Sequence, residues 1–288
     1  MIVETPIPAP AQPPPAPQTF TGILSDSACG VSHEAKTSAA GTDRECLFAC
    51  IHTLAKYVLV DADKRVIAIA NQDAMGLPLY AGRPVKITGE RKGDAIVVAK
   101  VEAIAAHLHI GHVMTNWRDT PGTRGFLPVA IDEARVAILH ARLAAEATNL
   151  DDIGLHAGHV LHALDPTVEL TASFDRAQER PGAGYGVKKA TTGALQHLEF
   201  AAKAEGATAS VTTHAAQVSS ALSNVLQWVD QAIATAKRAR ASATAADAVA
   251  AAADLLAMTV RLNDEGLQPA LTHMNLILEA EGLVGMPR

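Results

Sequence analysis

The sequence predicts a multi-domain α+β protein, a small OB-like β-barrel followed by an antiparallel all-α bundle with an internal duplication. Three observations predict this. Residues 20 to about 104 hold short alternating apolar runs separated by turn signals. From residue 105 to the C-terminus the apolar period becomes helical. The length of 288 residues also exceeds what one compact core usually serves.

The elements follow in order. Residues 1–18, with PIPAPAQPPPAP at their centre, read as an extended proline-rich tail outside any core. Residues 19–105 form the first domain: TGILSD is one strand, KYVLVDADKRVIAIAN is two strands about a DADK turn, and VKITGERKGDAIVVAKVEAI is two more about a KGD turn. Five short strands suit a small closed barrel. Residues 106–288 form the second domain, with helices expected near 106–117, 129–147, 150–164, 187–204, 208–240, 243–263 and 268–281. Breaks fall at DTPGTRG (119–125), DPT (165–167) and RPGAGYG (180–186). Aromatic residues make up 3% of the chain and alanine dominates its second half, so the helices should be slim and closely packed.

Composition excludes some functions. A net charge of −6 offers no basic stripe for a nucleic-acid backbone, and KRAR at 237–240 is too short to supply one. The most apolar helical stretch, AADAVAAAADLLAM, is interrupted by Asp247 and Asp254, so no bilayer-spanning segment is expected. A proline tract ahead of a small domain often trails a removed signal or lipid anchor, which makes a periplasmic or otherwise exported location the expectation. The three cysteines all lie between residues 29 and 50, so one internal disulfide would leave a sulfur over.

Cys29, His33, Cys46 and Cys50 form C-x3-H and C-x3-C, and three thiolates with one imidazole satisfy tetrahedral zinc. A disulfide from Cys29 to Cys46 or Cys50 is the competing expectation, because the spacing of Cys46 and Cys50 gives poor bridge geometry. With TGILSDSACG, AKYVLVD and VKITGE, this stretch of about 85 residues resembles the small OB-like β-barrel domains of uncharacterised exported bacterial proteins. The resemblance implies a fold, the Cys/His set and export, but no reaction. The second half is similar to uncharacterised bacterial histidine-rich helical proteins, a likeness to which no activity attaches.

Ten of the twelve histidines lie in the helical half: His107, His109, His112, His140, His156, His159, His162, His197, His214 and His273. HIGHV at 109–113 is followed by PGTRGF at 121–126 and a helix containing His140. HAGHV at 156–160 is then followed by PGAGY at 181–185 and a helix containing His197, and HAAQV begins at 214. This order reads as a duplicated helical hairpin. Residues three apart share one helix face, so His109 with His112, and His156 with His159, can chelate. His140, His197 and His214 are the further candidate ligands, and Gln217 breaks the third copy.

Neutral imidazoles suit zinc, copper or iron. No Glu-x-x-His, HExxH or CxxCH occurs, which argues against ferritin-like di-iron, the common zinc-protease plan and covalent haem. Non-covalent haem b with two axial histidines is the alternative, with Arg124, Lys188 and Lys189 beside glycine-rich turns to neutralise its carboxylates. A third alternative is a non-catalytic interaction or scaffold module in which the histidines only fill hydrogen bonds.

PGAGYGVKK could suggest a phosphate loop, but no strand precedes it and its sister PGTRGF occupies the same place, so a helix-connecting turn is expected. Ser25, Asp26 and His33 lie close together without a G-x-S-x-G elbow, so no catalytic residue is assigned. The function expected is metal handling or electron transfer, with a redox or metal-transfer protein as partner.

Overall fold

The computed structural model describes residues 16–33, 43–168, 181–205 and 207–283. It is mixed α and β, with two compact units divided between Ile104 and Ala105. The proline-rich tail lies outside the described residues except at its last positions.

In the first unit β1 (Gln18–Asp26) precedes α1 (Asp43–His52), β2 (Tyr57–Val60), β3 (Val66–Ile69), α2 (Leu77–Tyr80), β4 (Pro84–Lys92) and β5 (Ala95–Ala103). β1 runs antiparallel to both β2 and β4, β2 to β3 and β4 to β5, while β3 pairs parallel with β5. The ladder therefore closes in the order β1-β2-β3-β5-β4. Closure leaves no strand edge open along the cycle.

Alternation explains the interior. Val85, Ile87, Ile96, Val98 and Val101 are buried with Leu24 and Leu59, and Leu47 of α1 and Leu77 of α2 join that cluster. The register shifts between Thr88 and Gly89, where a side-chain Cβ at Gly89 would lie 2.3 Å from the Val97 carbonyl oxygen. Only glycine tolerates that approach, so the irregularity is written into the sequence. The DADK turn is held by Asp61 Oδ1, which accepts from the backbone amides of Asp63 (3.0 Å) and Arg65 (2.9 Å). The helix α1 was not anticipated from sequence. It is short, and its polar and apolar residues do not form a clear stripe.

The second unit contains α3 (Ala105–Met114), α4 (Phe126–Glu146), α5 (Leu150–Leu164), α6 (Val187–Lys203), α7 (Ala209–Ala241), α8 (Ala245–Arg261) and α9 (Gln268–Ala280). Capping sets several starts. Asn149 accepts from the Asp152 amide at 2.9 Å, and Thr208 and Thr244 accept from Val211 and Asp247. Buried Ala130, Ala134, Ala137, Ala141 and Ala144 recur at helical spacing along α4 and let its neighbours approach closely. The 33-residue α7 packs against α5, α6, α8 and α9.

The expected break between the last two helices is instead a π-helical turn, Leu262–Leu267, joining α8 to α9. Pro269 stands near the start of α9, where its missing amide costs least.

The loop before α6 is a helix connection, secured from α4. Glu133 is buried, and its Oε1 accepts from the amides of Ala183 (3.1 Å) and Tyr185 (3.0 Å). Glu133→Ala strips two amides of their acceptor and should lower unfolding free energy by about 2–4 kcal/mol in denaturant titration. Glu133→Gln keeps an acceptor oxygen and should lose clearly less; equal losses would refute this assignment.

Candidate metal centres

Eight of the ten histidines of the helical unit converge in three separate groups. In the first, His109 and His112 of α3 meet His197 of α6: His197 Nδ1 lies 3.0 Å from His109 Nδ1 and 3.2 Å from His112 Nδ1. In the second, His156 and His159 of α5 meet His140 of α4: His140 Nδ1 lies 3.2 Å and 3.3 Å from their Nδ1 atoms. The third is a pair, His214 of α7 and His273 of α9, with Nδ1 atoms 3.1 Å apart.

Helical spacing explains the shared plan. In each trio two rings come from one helix at i and i+3, and the third comes from the middle of the helix packed against it. The pairing is reciprocal along the chain: the first HxxH meets the later single histidine, and the second HxxH meets the earlier one.

The nitrogen geometry is compatible with a bound cation. An imidazole nitrogen carries either one proton or one lone pair, so the central Nδ1 of a trio can make one good hydrogen bond but not two. The remaining contact is at best the weaker arm of a bifurcated bond. Tetrahedral zinc at about 2.05 Å from each nitrogen would space its ligand atoms about 3.3 Å apart, close to the separations from the central nitrogen in each trio. Both trios keep all three ligand atoms within 4.8 Å of one another.

Electrostatics prepares the rings as neutral donors. Burial, then His112 and His109, pushes His197 down to about 4. Burial, then His159 and His156, does the same to His140, also to about 4. His109, His112 and His159 are shifted down too, each chiefly by burial. Such rings stay unprotonated at neutral pH and remain available to a cation.

The trios differ in their walls. His197 stacks on Phe126 with ring centroids 5.5 Å apart, Trp117 sits 4.7 Å from both His112 and His197, and Phe200 faces His109 at 5.2 Å. Three of the chain's ten aromatic residues therefore surround one centre. Gly193 makes this fit, since a Cβ there would fall 2.4 Å from the Phe126 ring. Beside the second trio, the charge of His162 adds to the lowering of His159.

Other candidates have different surroundings. Arg124 pairs with Asp132, Lys188 donates to Asp230 at 2.7 Å, and Lys189 lies 4.2 Å over the Tyr185 ring. The protein itself thus supplies partners for the three basic groups expected to hold haem carboxylates. His107 stands apart from the trios, its Nε2 2.8 Å from Glu281. Burial raises the Glu281 carboxyl, but hydrogen bonds from His107 and Thr208 outweigh it and leave the group below its ordinary range.

In the first unit Cys29 Sγ lies 3.8 Å from Cys46 Sγ and 3.7 Å from Cys50 Sγ, and no disulfide joins them. His33 groups with Cys29 and Cys46. Asp26, unassigned from sequence, groups with Cys29 and Cys50. Burial, then Cys50, Cys46 and Asp26, pushes the Cys29 thiol up to about 12.

Ser25, His33 and Asp26 line up like a hydrolytic triad, yet with the wrong polarity. Ser25 spends its only proton on the Gly30 carbonyl at 2.7 Å, so its oxygen must accept from His33 Nε2, 3.1 Å away. A nucleophilic serine needs the reverse. Ser25 is also only 2% exposed.

Sequence reasoning missed His273 as the partner of His214, because it sits outside the two repeats that exposed the others. Trp117, Phe126 and Phe200 carried no motif at all. Comparison with known proteins finds no matching family model, no matching curated protein and no matching solved structure. No helix among the described residues is long and apolar enough to cross a membrane.

Proposed function

We propose that this chain is an exported transition-metal-binding protein whose helical unit holds two ions, one on His109, His112 and His197 and one on His140, His156 and His159. The observation that carries this reading is the convergence of three Nδ1 atoms, twice, at separations that suit one bound ion. Zinc, copper and iron all accept neutral imidazole. Three protein ligands leave a fourth position for water or an incoming donor, which favours metal handling and transfer over a closed electron-transfer centre. Export is supported by the proline tract ahead of the first strand. The strand order with its parallel β3–β5 pair supports an OB-like barrel, and the reciprocal trios support a duplicated bundle.

Haem is the weaker reading. A porphyrin plane must pass between its two axial nitrogens, and nitrogens in direct contact leave no gap for it.

Metal quantification with a visible spectrum on the same sample is the deciding experiment. The expected outcome is stoichiometric zinc, copper or iron without a haem band. An intense band near 400 nm would return the haem reading, and no stoichiometric metal after supplementation would leave only the scaffold reading.

The third group adds a prediction. Gln217 occupies the place of the second histidine beside the His214–His273 pair, one turn beyond His214. Gln217→His should create a third trio and add one bound ion per chain in equilibrium dialysis. Unchanged stoichiometry would show that the third copy does not share the plan.

A further inference from the structure

A second cluster, chemically unlike the imidazole trios, lies in the first unit. Its members come from two places: Asp26 ends β1, Cys29 and His33 follow in the turn beyond it, and Cys46 and Cys50 stand one turn apart on α1. Cys29 is the common corner, within 4.8 Å of ligand atoms on His33 and Cys46 in one grouping and on Asp26 and Cys50 in another.

The turn is held so as to present Cys29. Asp26 Oδ1 accepts from the amides of Ala28 and Cys29, each at 2.9 Å. Asp26 Oδ2 is buried and has no hydrogen-bond partner. The hydrogen-bond chain fixes the imidazole as well. Because the Ser25 proton goes to Gly30, His33 must donate through Nε2, which in the neutral ring leaves the lone pair on Nδ1. That Nδ1 is also buried without a hydrogen-bond partner, and it faces Asp26 Oδ2 at 3.7 Å. In that tautomer two acceptors confront each other in the interior, which either a proton on Nδ1 or a cation beside them would relieve.

The sulfurs indicate what kind of cation fits. Zinc bound to thiolates at about 2.3 Å holds its sulfurs about 3.8 Å apart. Cys29 stands 3.8 Å from Cys46 and 3.7 Å from Cys50, far beyond a disulfide's bond length of about 2.05 Å.

We propose that Cys29, Cys46, Cys50 and His33 Nδ1 form a closed tetrahedral site for a zinc-class dication, with the Asp26 carboxylate holding the Cys29 turn in place. It goes beyond the imidazole centres in ligand class and in role. Four protein ligands fill the coordination sphere, so this ion is structural and slow to exchange, and it ties the end of β1 to α1. Binding ionises three thiols and releases three protons, while His33 enters neutral. In an oxidising compartment the ion would also shield the sulfurs from oxidation.

Cobalt(II) loading of the reduced, metal-free full chain tests this. Thiolate ligation gives a near-ultraviolet sulfur-to-cobalt charge-transfer band that imidazole centres lack. The band should appear in the parent chain, persist in the His140→Ala/His197→Ala double variant, and disappear in Cys29→Ser and Cys46→Ser. Its absence from the parent chain while imidazole-bound cobalt is still detected would overturn this proposal and leave the helical centres standing. Its presence without imidazole-bound cobalt would do the opposite. A readout without substitution guards against misfolded variants. Zinc should slow the reaction of the thiols with an aromatic disulfide reagent by on the order of tenfold or more. Equal rates with and without zinc, or intact mass showing two hydrogens lost to a disulfide in protein expressed with zinc, would overturn it.

Discussion

Replacing His197 with alanine should remove one of the two ions proposed for the helical unit and leave the other in place. His197 Nδ1 is the atom both other rings of its trio approach, at 3.0 and 3.2 Å, so its loss leaves two ligands that share one helix. Losing an outer-shell partner already costs a metal site roughly 10–100-fold in affinity, and losing a central ligand should cost more. His140→Ala should have the mirror effect on the second trio. The readout is competition against a chromophoric chelator, counted above any ion held by the cysteine cluster of the first unit: two ions at the imidazole centres in the parent, one in each single variant, none in the double variant. Gly193→Ala supplies a gentler probe, because it displaces Phe126 from behind His197 and should weaken the first centre alone. If either single variant emptied both centres, or neither, the assignment of ligands to two independent trios would fail.

The separation of the trios also explains how much was legible beforehand. The HxxH pairs could be read because helix periodicity alone puts i and i+3 on one face. His140 and His197 could be named as ligands because they recur at matching places in the two copies. What could not be read was which pair each would join. That depends on α3 packing against α6 and α4 against α5, a matter of tertiary neighbours that no local period encodes. His273 was hidden for a related reason, since it approaches His214 from a helix that follows a long, unrepeated stretch and a π-helical turn.

Strand positions followed from alternation and from the DADK and KGD turns. The helix α1 carried no stripe and went unseen, although it bears Cys46 and Cys50. Asp26 illustrates the limit of composition-based reasoning: a buried aspartate at a strand end looks like a turn former, and only its place beside Cys29, Cys50 and His33 marks it as part of the cluster.

Acidification should destabilise the metal-free protein over a defined window. His140 and His197 are each held down to about 4, with burial the leading cause and the neighbouring rings next. In the unfolded chain a histidine titrates near about 6.5, so between these values the unfolded state binds more protons than the folded one. Stability from keeping the two rings neutral is therefore complete above about pH 6.5 and is lost progressively as the pH falls toward about 4, below which these groups add no further loss.

At pH near 5, unfolding should take up about two extra protons from this pair, visible as a steep slope of stability against pH in denaturant titrations. His140→Ala/His197→Ala should flatten that slope. A bound ion changes the balance, because it occupies the lone pairs that protons would otherwise take. Saturating metal should hold stability up until protons displace it, making metal release and unfolding coincide on the acid side. A metal-free protein whose stability stayed level from pH 7 to pH 4 would show that these rings are not buried as neutral donors, and the reading of both trios as preformed metal ligands would fall with it.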